Sequence, residues 1–222
     1  MTTLIGKINI QLFGRGGSGS SLPKGGGGGG TPPISETSLV SARLEGKQTE
    51  VDQVLTVARD IADQYPGVTA SDLKIGQFRP GDATMAYYSS DGNVGVNQSY
   101  FDAARITGAY DQNVQTGFHP GRGNKTAMEA VAAHEMGHLL TAKAAERAGD
   151  TDFHTQTAPK IVQQARKQIG VKNTMSMARA ISGYAKTNYA ECIAEAFADV
   201  YCNGNNAKRE SRAIVDVLNS YF

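Results

Sequence analysis

The sequence predicts an α+β fold, with a small and mostly antiparallel sheet followed by a mainly helical C-terminal half. Residues 73–78 and 83–89 have the composition of strands, and the polar and glycine-containing residues 90–93 form a hairpin turn before a returning strand at 94–97. Beyond these strands, apolar residues recur at helical spacing in segments that begin with polar caps. The order of the patterns therefore places the sheet before the helices.

Glycine content divides the chain into three parts. Residues 1–13 contain one short strand pattern, residues 14–36 form a Gly-rich linker, and residues 37–222 form the folded domain. Ten of the 26 glycines lie between Gly14 and Gly30. Such a segment buries too little apolar surface to offset the entropy of ordering it, so we expect it to be flexible. Two interpretations stay open: a tether for an N-terminal tag, and a low-complexity tail.

The charge and hydropathy of the chain argue against two classes of partner. The 22 basic and 21 acidic residues leave a formal net charge of +1, which provides no overall attraction to nucleic acid or to an anionic membrane. No apolar run approaches the roughly 20 residues that a membrane-spanning helix needs. Residues 1–17 have too short an apolar segment for a secretory signal. We therefore expect a protein of the cytoplasm.

The helices of the second half are predicted from caps and spacing. Thr126 and Glu129 form a capping box for a helix that runs to about Arg147. Asn188 caps a second helix, with an acid three residues on, and Gly204 is its expected end. Further helices are predicted at residues 51–65, 99–110, 159–169 and 207–221.

The helix that follows Thr126 carries an H-E-x-x-H motif, in which His134, Glu135 and His138 are the chemically active residues. Histidines four residues apart lie on one face of a helix, so both imidazoles can reach one metal ion. Glu135 points into the same site, where it can take a proton from a water that the metal activates. Only four histidines occur in the chain, and two lie here. This concentration favours a Zn²⁺ site over histidines that only satisfy hydrogen bonds in a core.

A catalytic zinc ion normally has three protein ligands and one open position, so the motif needs a third ligand. Glu191 and Glu195 lie four residues apart and share one face of an otherwise apolar helix. One of them could bind the metal, and the other could accept the free imidazole N–H of a ligand histidine. Asp199 continues the same face and is a candidate for a similar supporting role.

Four other side chains are candidates for lesser roles. Cys192 and Cys202 lie ten residues apart, or about 15 Å along a helix axis, which is too far for a disulfide. We expect reduced thiols, with Cys192 near the metal as the alternative. His119 lies in a Gly- and Pro-containing loop, where it could face a substrate, and His154 is expected at the surface.

Residues 182–199 resemble the second half of a gluzincin active site, in the pattern of the anthrax lethal factor catalytic domain and its phage and bacterial relatives. In that family a tyrosine precedes the ligand glutamate by seven residues, and a second glutamate follows by four. Tyr184, Glu191 and Glu195 fall at those offsets. The resemblance covers about residues 120–204. It implies a zincin-like fold, Glu191 as the third ligand, Glu195 behind a ligand histidine, and Tyr184 as a donor to the oxyanion.

Residues 8–17 are similar to the opening of many structural proteins of tailed phages and prophages, which implies a phage or prophage origin. The sequence therefore predicts a zinc-dependent endopeptidase that acts in the bacterial host cell or with the virion. A protein or peptide is the expected substrate, a repressor inside the cell is one candidate, and phage structural proteins are candidate partners. The alternative is a non-catalytic phage structural or assembly protein with a structural or vestigial zinc site. A structural site usually has four protein ligands, and the sequence offers three good candidates.

Overall fold

The helical part of the chain contains the predicted metal motif. The computed structural model describes residues 8–11, 36–37, 48–68, 75–76, 84–88, 94–96 and 102–222. Across residues 48–68 and 102–222, 76% of the residues are helical and none is in a strand. The predicted α+β class, with a zincin-like sheet over the metal-binding helix, is therefore wrong. The physical reason is that the apolar faces of the helices bury one another, so the motif is enclosed by packed helices.

The strand segments described by the structure are short. They are β1 (Ile8–Gln11), β2 (Glu36–Thr37), β3 (Ile75–Gly76), β4 (Thr84–Tyr88) and β5 (Val94–Val96). The backbone of β4 pairs antiparallel with β1 and with β5, and β2 pairs antiparallel with β3. These segments are two to five residues long, at or below the usual strand length of about 5–6 residues, and all of them lie outside residues 48–68 and 102–222. Except for Glu36, the predicted linker 14–36 lies outside the described residues, as does the turn at 90–93.

Seven α-helices occur in the described residues. They are α1 (Gln48–Gln64), α2 (Ala103–Gln115), α3 (Ala127–Ala148), α4 (Ala158–Gln168), α5 (Thr174–Ile181), α6 (Tyr189–Asn203) and α7 (Arg209–Asn219). A π-helical turn at Phe153–Thr157 precedes α4, and a 3₁₀ turn at Tyr184–Lys186 precedes α6. The helix predicted at 99–110 begins later, after the cap Asp102, and α5 was not predicted.

The motif helix α3 is the centre of the packing. It is small or apolar on nearly every side and is buried from Ala127 to Thr141 except at Glu129. The predicted capping box is confirmed, because the Thr126 backbone N–H donates to the Glu129 carboxylate and the Glu129 N–H donates to the Thr126 hydroxyl. Gly149 ends the helix with φ at 72°. Helices α1, α2 and α6 pack directly on α3, and α7 covers α6.

The closest approach of α3 and α6 is at Gly137. A Cβ atom added there would lie 2.8 Å from the Cα atom of Ala194 and 3.1 Å from the Cβ atom of Phe197. No real Cβ contact is so short, so only glycine permits this crossing. Helix α6 begins at the predicted cap, where the Asn188 side chain accepts a hydrogen bond from the Glu191 N–H at 2.9 Å. The first turn of α6 is therefore placed opposite the two motif histidines.

Two further expectations concern the thiols and the membrane. Cys192 and Cys202 are both free, as predicted, and Cys192 is buried. No helix in the described part of the chain combines the length and the apolar character that a membrane span requires.

Candidate metal centre

Three side-chain atoms converge where α3 faces α6. The Nε2 atom of His134 lies 3.1 Å from Oε2 of Glu191 and 3.2 Å from Nε2 of His138. The Nε2 atom of His138 lies 3.4 Å from the same Glu191 oxygen. All three side chains are buried, and their candidate ligand atoms lie within 4.8 Å of one another.

The spacing of these atoms fits a tetrahedral zinc ion. Zinc binds imidazole nitrogen and carboxylate oxygen at about 2.0–2.2 Å, which places two tetrahedral ligand atoms about 3.3–3.5 Å apart. The three observed separations, 3.1–3.4 Å, are close to that value. The donor set of two imidazoles and one carboxylate is also one that catalytic zinc sites use. The residues present therefore fit the metal that the motif implies.

A carboxylate behind His134 determines which ring nitrogen faces the cluster. The Nδ1 atom of His134 lies 2.8 Å from Oε1 of Glu195, and a carboxylate can only accept a hydrogen bond there. Nδ1 therefore carries a proton directed at Glu195, and Nε2 is the ring nitrogen that faces Glu191 and His138. The structure thus places Glu191 with the candidate ligands and Glu195 behind one of them, a choice that the residue spacing alone left open.

The electrostatics of the cluster favour a positive charge at its centre. Burial opposes protonation of His134, but the hydrogen bonds and charges of Glu191 and Glu195 outweigh burial and raise the pKa of His134 to about 10. Burial by itself would raise the pKa of Glu191, but the nearby histidines lower it below its ordinary value. Two carboxylates around one imidazole thus create a buried site that attracts a cation.

Glu195 receives hydrogen bonds from two residues that were not among the predicted site residues. The Ser182 hydroxyl donates to Oε2 of Glu195 at 2.7 Å, and the Nδ1 atom of His119 lies 3.0 Å from Oε1. The Ser182 oxygen also accepts the Ala185 backbone N–H at 3.0 Å. The sequence predicts His119 only as a loop residue that could face a substrate. The sequence signals for this network were the scarcity of histidine and the position of Ser182 two residues before Tyr184.

Tyr184 lies beside the carboxylate of Glu191. Its hydroxyl donates to Oε1 of Glu191 at 3.3 Å, which is the oxygen that does not face the histidines. Backbone hydrogen bonds from Gly183 to Gly117 at 2.7 Å and from Tyr184 to Phe118 at 3.0 Å hold this segment against the 117–119 loop. Burial, followed by the charge of Glu191, raises the pKa of Tyr184 well above its ordinary value, so the hydroxyl stays protonated.

Glu135 is the least satisfied polar group of the site. It is completely buried, and neither carboxylate oxygen has a hydrogen-bond partner among the described residues. Burial raises the pKa of Glu135 to about 8. A buried carboxyl group without a partner costs free energy and is retained where its chemistry is used.

Two other candidate residues, Asp199 and His154, do not belong to the group of three converging ligand atoms. The Asp199 oxygens accept hydrogen bonds from the Asn203 side chain and from the Lys208 backbone N–H, both at 2.9 Å. Asp199 therefore joins the end of α6 to the start of α7, and among the described residues it accepts no hydrogen bond from the histidines. His154 is half-buried in the π-helical turn, and burial lowers its pKa.

Comparisons of the chain with protein-family models, with curated proteins and with solved structures found no match. No role is carried over to these residues from a matched protein.

Proposed function

We propose that this chain is a zinc-dependent endopeptidase. The observation that carries the proposal is the convergence of His134 Nε2, His138 Nε2 and Glu191 Oε2 within 3.1–3.4 Å of one another. These three side chains would hold the ion. A zinc ion in such a site supplies Lewis acidity, which activates water and polarises the carbonyl of a peptide bond. The similarity of residues 8–17 to phage structural proteins supports a phage or prophage origin.

Glu135 is the proposed proton carrier. Its buried carboxyl group is close enough to His134, Glu191 and Glu195 to interact with them electrostatically. It also has no competing hydrogen bond among the described residues. A carboxyl group whose pKa is raised to about 8 exchanges its proton readily near neutral pH. It can therefore accept a proton from the attacking water and return it to the leaving amine. Positioned groups of this kind contribute about 100- to 10,000-fold to rate.

Tyr184 is the proposed donor to the oxyanion that forms on the scissile carbonyl. Its hydroxyl already lies 3.3 Å from Glu191, beside a candidate ligand, and its raised pKa keeps the proton available for donation. Glu195 has a supporting role, since it holds His134 through Nδ1. The substrate class is a protein or peptide.

The substitution Glu135→Gln tests this proposal. It keeps the shape of the side chain but removes proton transfer, so we expect full zinc content and at least about a 100-fold loss of turnover. Zinc is measured by elemental analysis, and cleavage by mass spectrometry of a proteome-derived peptide mixture. Glu146→Gln is the matched control, because Glu146 is an exposed residue of the same helix that pairs with Lys143.

Two outcomes would overturn the proposal. A parent protein that carries full zinc but cleaves no peptide in the mixture would favour the non-catalytic structural or assembly protein. A Glu135→Gln variant that cleaves as fast as the parent would remove Glu135 from the mechanism.

A further inference from the structure

One carboxylate oxygen is shared by two buried imidazole rings. Oε1 of Glu195 lies 2.8 Å from Nδ1 of His134 and 3.0 Å from Nδ1 of His119. The second oxygen of Glu195 accepts the Ser182 hydroxyl at 2.7 Å. Since all these side chains are buried, water does not replace any of these donors at low cost. Glu195 therefore receives three hydrogen bonds, one from each neighbour.

The His119 ring is held in place independently of Glu195. It is 3% exposed and stacks on the Tyr110 ring, with 5.4 Å between ring centroids and 5° between ring planes. The Tyr110 hydroxyl donates to the Pro120 carbonyl at 3.1 Å, which ties the loop to α2. The Tyr184 and His119 rings make a T-shaped contact, with 5.6 Å between ring centroids. A ring fixed on two sides presents its Nδ1–H in one direction, towards Glu195.

This arrangement has a chemical consequence for His134. Three hydrogen bonds to Glu195 fix the direction in which its Oε1 atom accepts the Nδ1–H of His134. The same hydrogen bonds stop the carboxylate from rotating. The Nε2 atom of His134 is then kept directed at His138 and Glu191, where it would bind the ion. Partners of this kind, one step behind a ligand, typically change metal affinity by about 10- to 100-fold.

We propose that His119 is a positioning residue of the metal centre: its Nδ1–H holds Glu195, so that Glu195 fixes the tautomer and the ring orientation of His134. The inference rests on the zinc-binding part of the proposed function and not on peptide hydrolysis. It assigns His119, 76 residues from Glu195 in sequence, to the machinery of the site.

Two substitutions at His119 separate hydrogen bonding from packing. His119→Asn keeps an N–H donor at nearly the position of Nδ1 but loses most of the stacked ring. His119→Phe keeps a flat ring on Tyr110 but has no donor. Tyr65→Phe is the control, because it removes a tyrosine hydrogen bond to Asn219 and leaves Glu195 and its donors unchanged.

The measurements use the full chain, with zinc affinity from competition with a chelating dye and the visible spectrum of the Co²⁺-loaded protein. We expect zinc binding to His119→Phe to weaken by about 10- to 100-fold, with an altered Co²⁺ spectrum. We expect His119→Asn and Tyr65→Phe to stay within about threefold of the parent, which is well below that change. A packing role predicts the reverse order, so equal losses in both His119 variants, or a larger loss in His119→Asn, would overturn the proposal.

A measurement on the zinc-loaded parent does not depend on whether the variants fold. Long-range ¹H–¹⁵N spectra of the imidazoles should show protonated Nδ1 atoms on both His119 and His134, and a His119 ring protonated only on Nε2 would overturn the proposal. A parent that binds zinc but cleaves no peptide would overturn the proposed peptidase activity. The role of His119 would still be tested by the zinc affinities of its variants. A parent that binds no zinc would overturn both.

Discussion

Gly137 and Ala194 are in direct backbone contact where α3 crosses α6, and a Cβ atom on Gly137 would lie 2.8 Å from the Ala194 Cα atom. Gly137→Ala improves helix propensity by about 1 kcal/mol. It also forces two well-packed helices apart, which typically costs about 1–3 kcal/mol. We expect a net loss of stability and weaker zinc binding, because Glu191 would move away from the histidines. Chemical denaturation and a zinc titration measure the two effects.

Gly108→Ala is the matched control for that substitution. Gly108 is an exposed residue inside α2, and a Cβ atom there meets nothing within 4 Å. We expect the free energy of unfolding to rise by about 0.5–1 kcal/mol with no change in zinc affinity. If Gly137→Ala behaved like Gly108→Ala, the close crossing would not be what positions the ligands.

The two glutamates of α6 are expected to differ in their effect on zinc. Glu191→Gln removes the charged oxygen that lies 3.1 Å and 3.4 Å from the two Nε2 atoms, so we expect the protein to lose its zinc on dialysis against a chelator. Glu195→Gln removes only the support behind His134, so we expect about a 10- to 100-fold loss of affinity. Elemental analysis and dye competition measure both. If Glu191→Gln kept its full zinc content and Glu195→Gln lost it, Glu195 would be the ligand and Glu191 the supporting residue.

Asp199 is expected to contribute to stability and not to metal binding. Its two oxygens accept from two N–H donors, Asn203 and Lys208, and an amide can satisfy only one of them. Asp199→Asn should therefore lower the free energy of unfolding by about 1–3 kcal/mol and leave the zinc content unchanged. Urea denaturation of the zinc-loaded protein and elemental analysis test this pair of expectations. Loss of zinc in a variant that stays folded would place Asp199 at the metal centre.

Tyr184→Phe should separate turnover from binding. The hydroxyl makes a long hydrogen bond, 3.3 Å, to the Glu191 oxygen that does not face the histidines, so its loss should change zinc affinity little. Loss of one oxyanion donor typically lowers kcat by about 100- to 1,000-fold, with KM nearly unchanged. Steady-state kinetics on one identified peptide provide the measurement. If zinc affinity and rate fell together, Tyr184 would act through Glu191 and not on the oxyanion.

The local parts of the site could be predicted from the sequence because they depend on residues three or four apart. The spacing of His134 and His138, and the caps at Thr126 and Asn188, follow from helix geometry and from hydrogen bonds within one turn. These interactions need no knowledge of the rest of the chain.

The sequence by itself determined the metal motif, the helix that carries it and the helix with the two candidate acids. Only the tertiary structure decided the all-helical class of the described body, the separate positions of Glu191 and Glu195, and the recruitment of His119 and Ser182. The last two depend on contacts between residues 13 to 76 positions apart in the sequence, which no local spacing encodes. They are set by how apolar helix faces bury one another, because that packing determines which polar side chains meet in the buried space between α3 and α6.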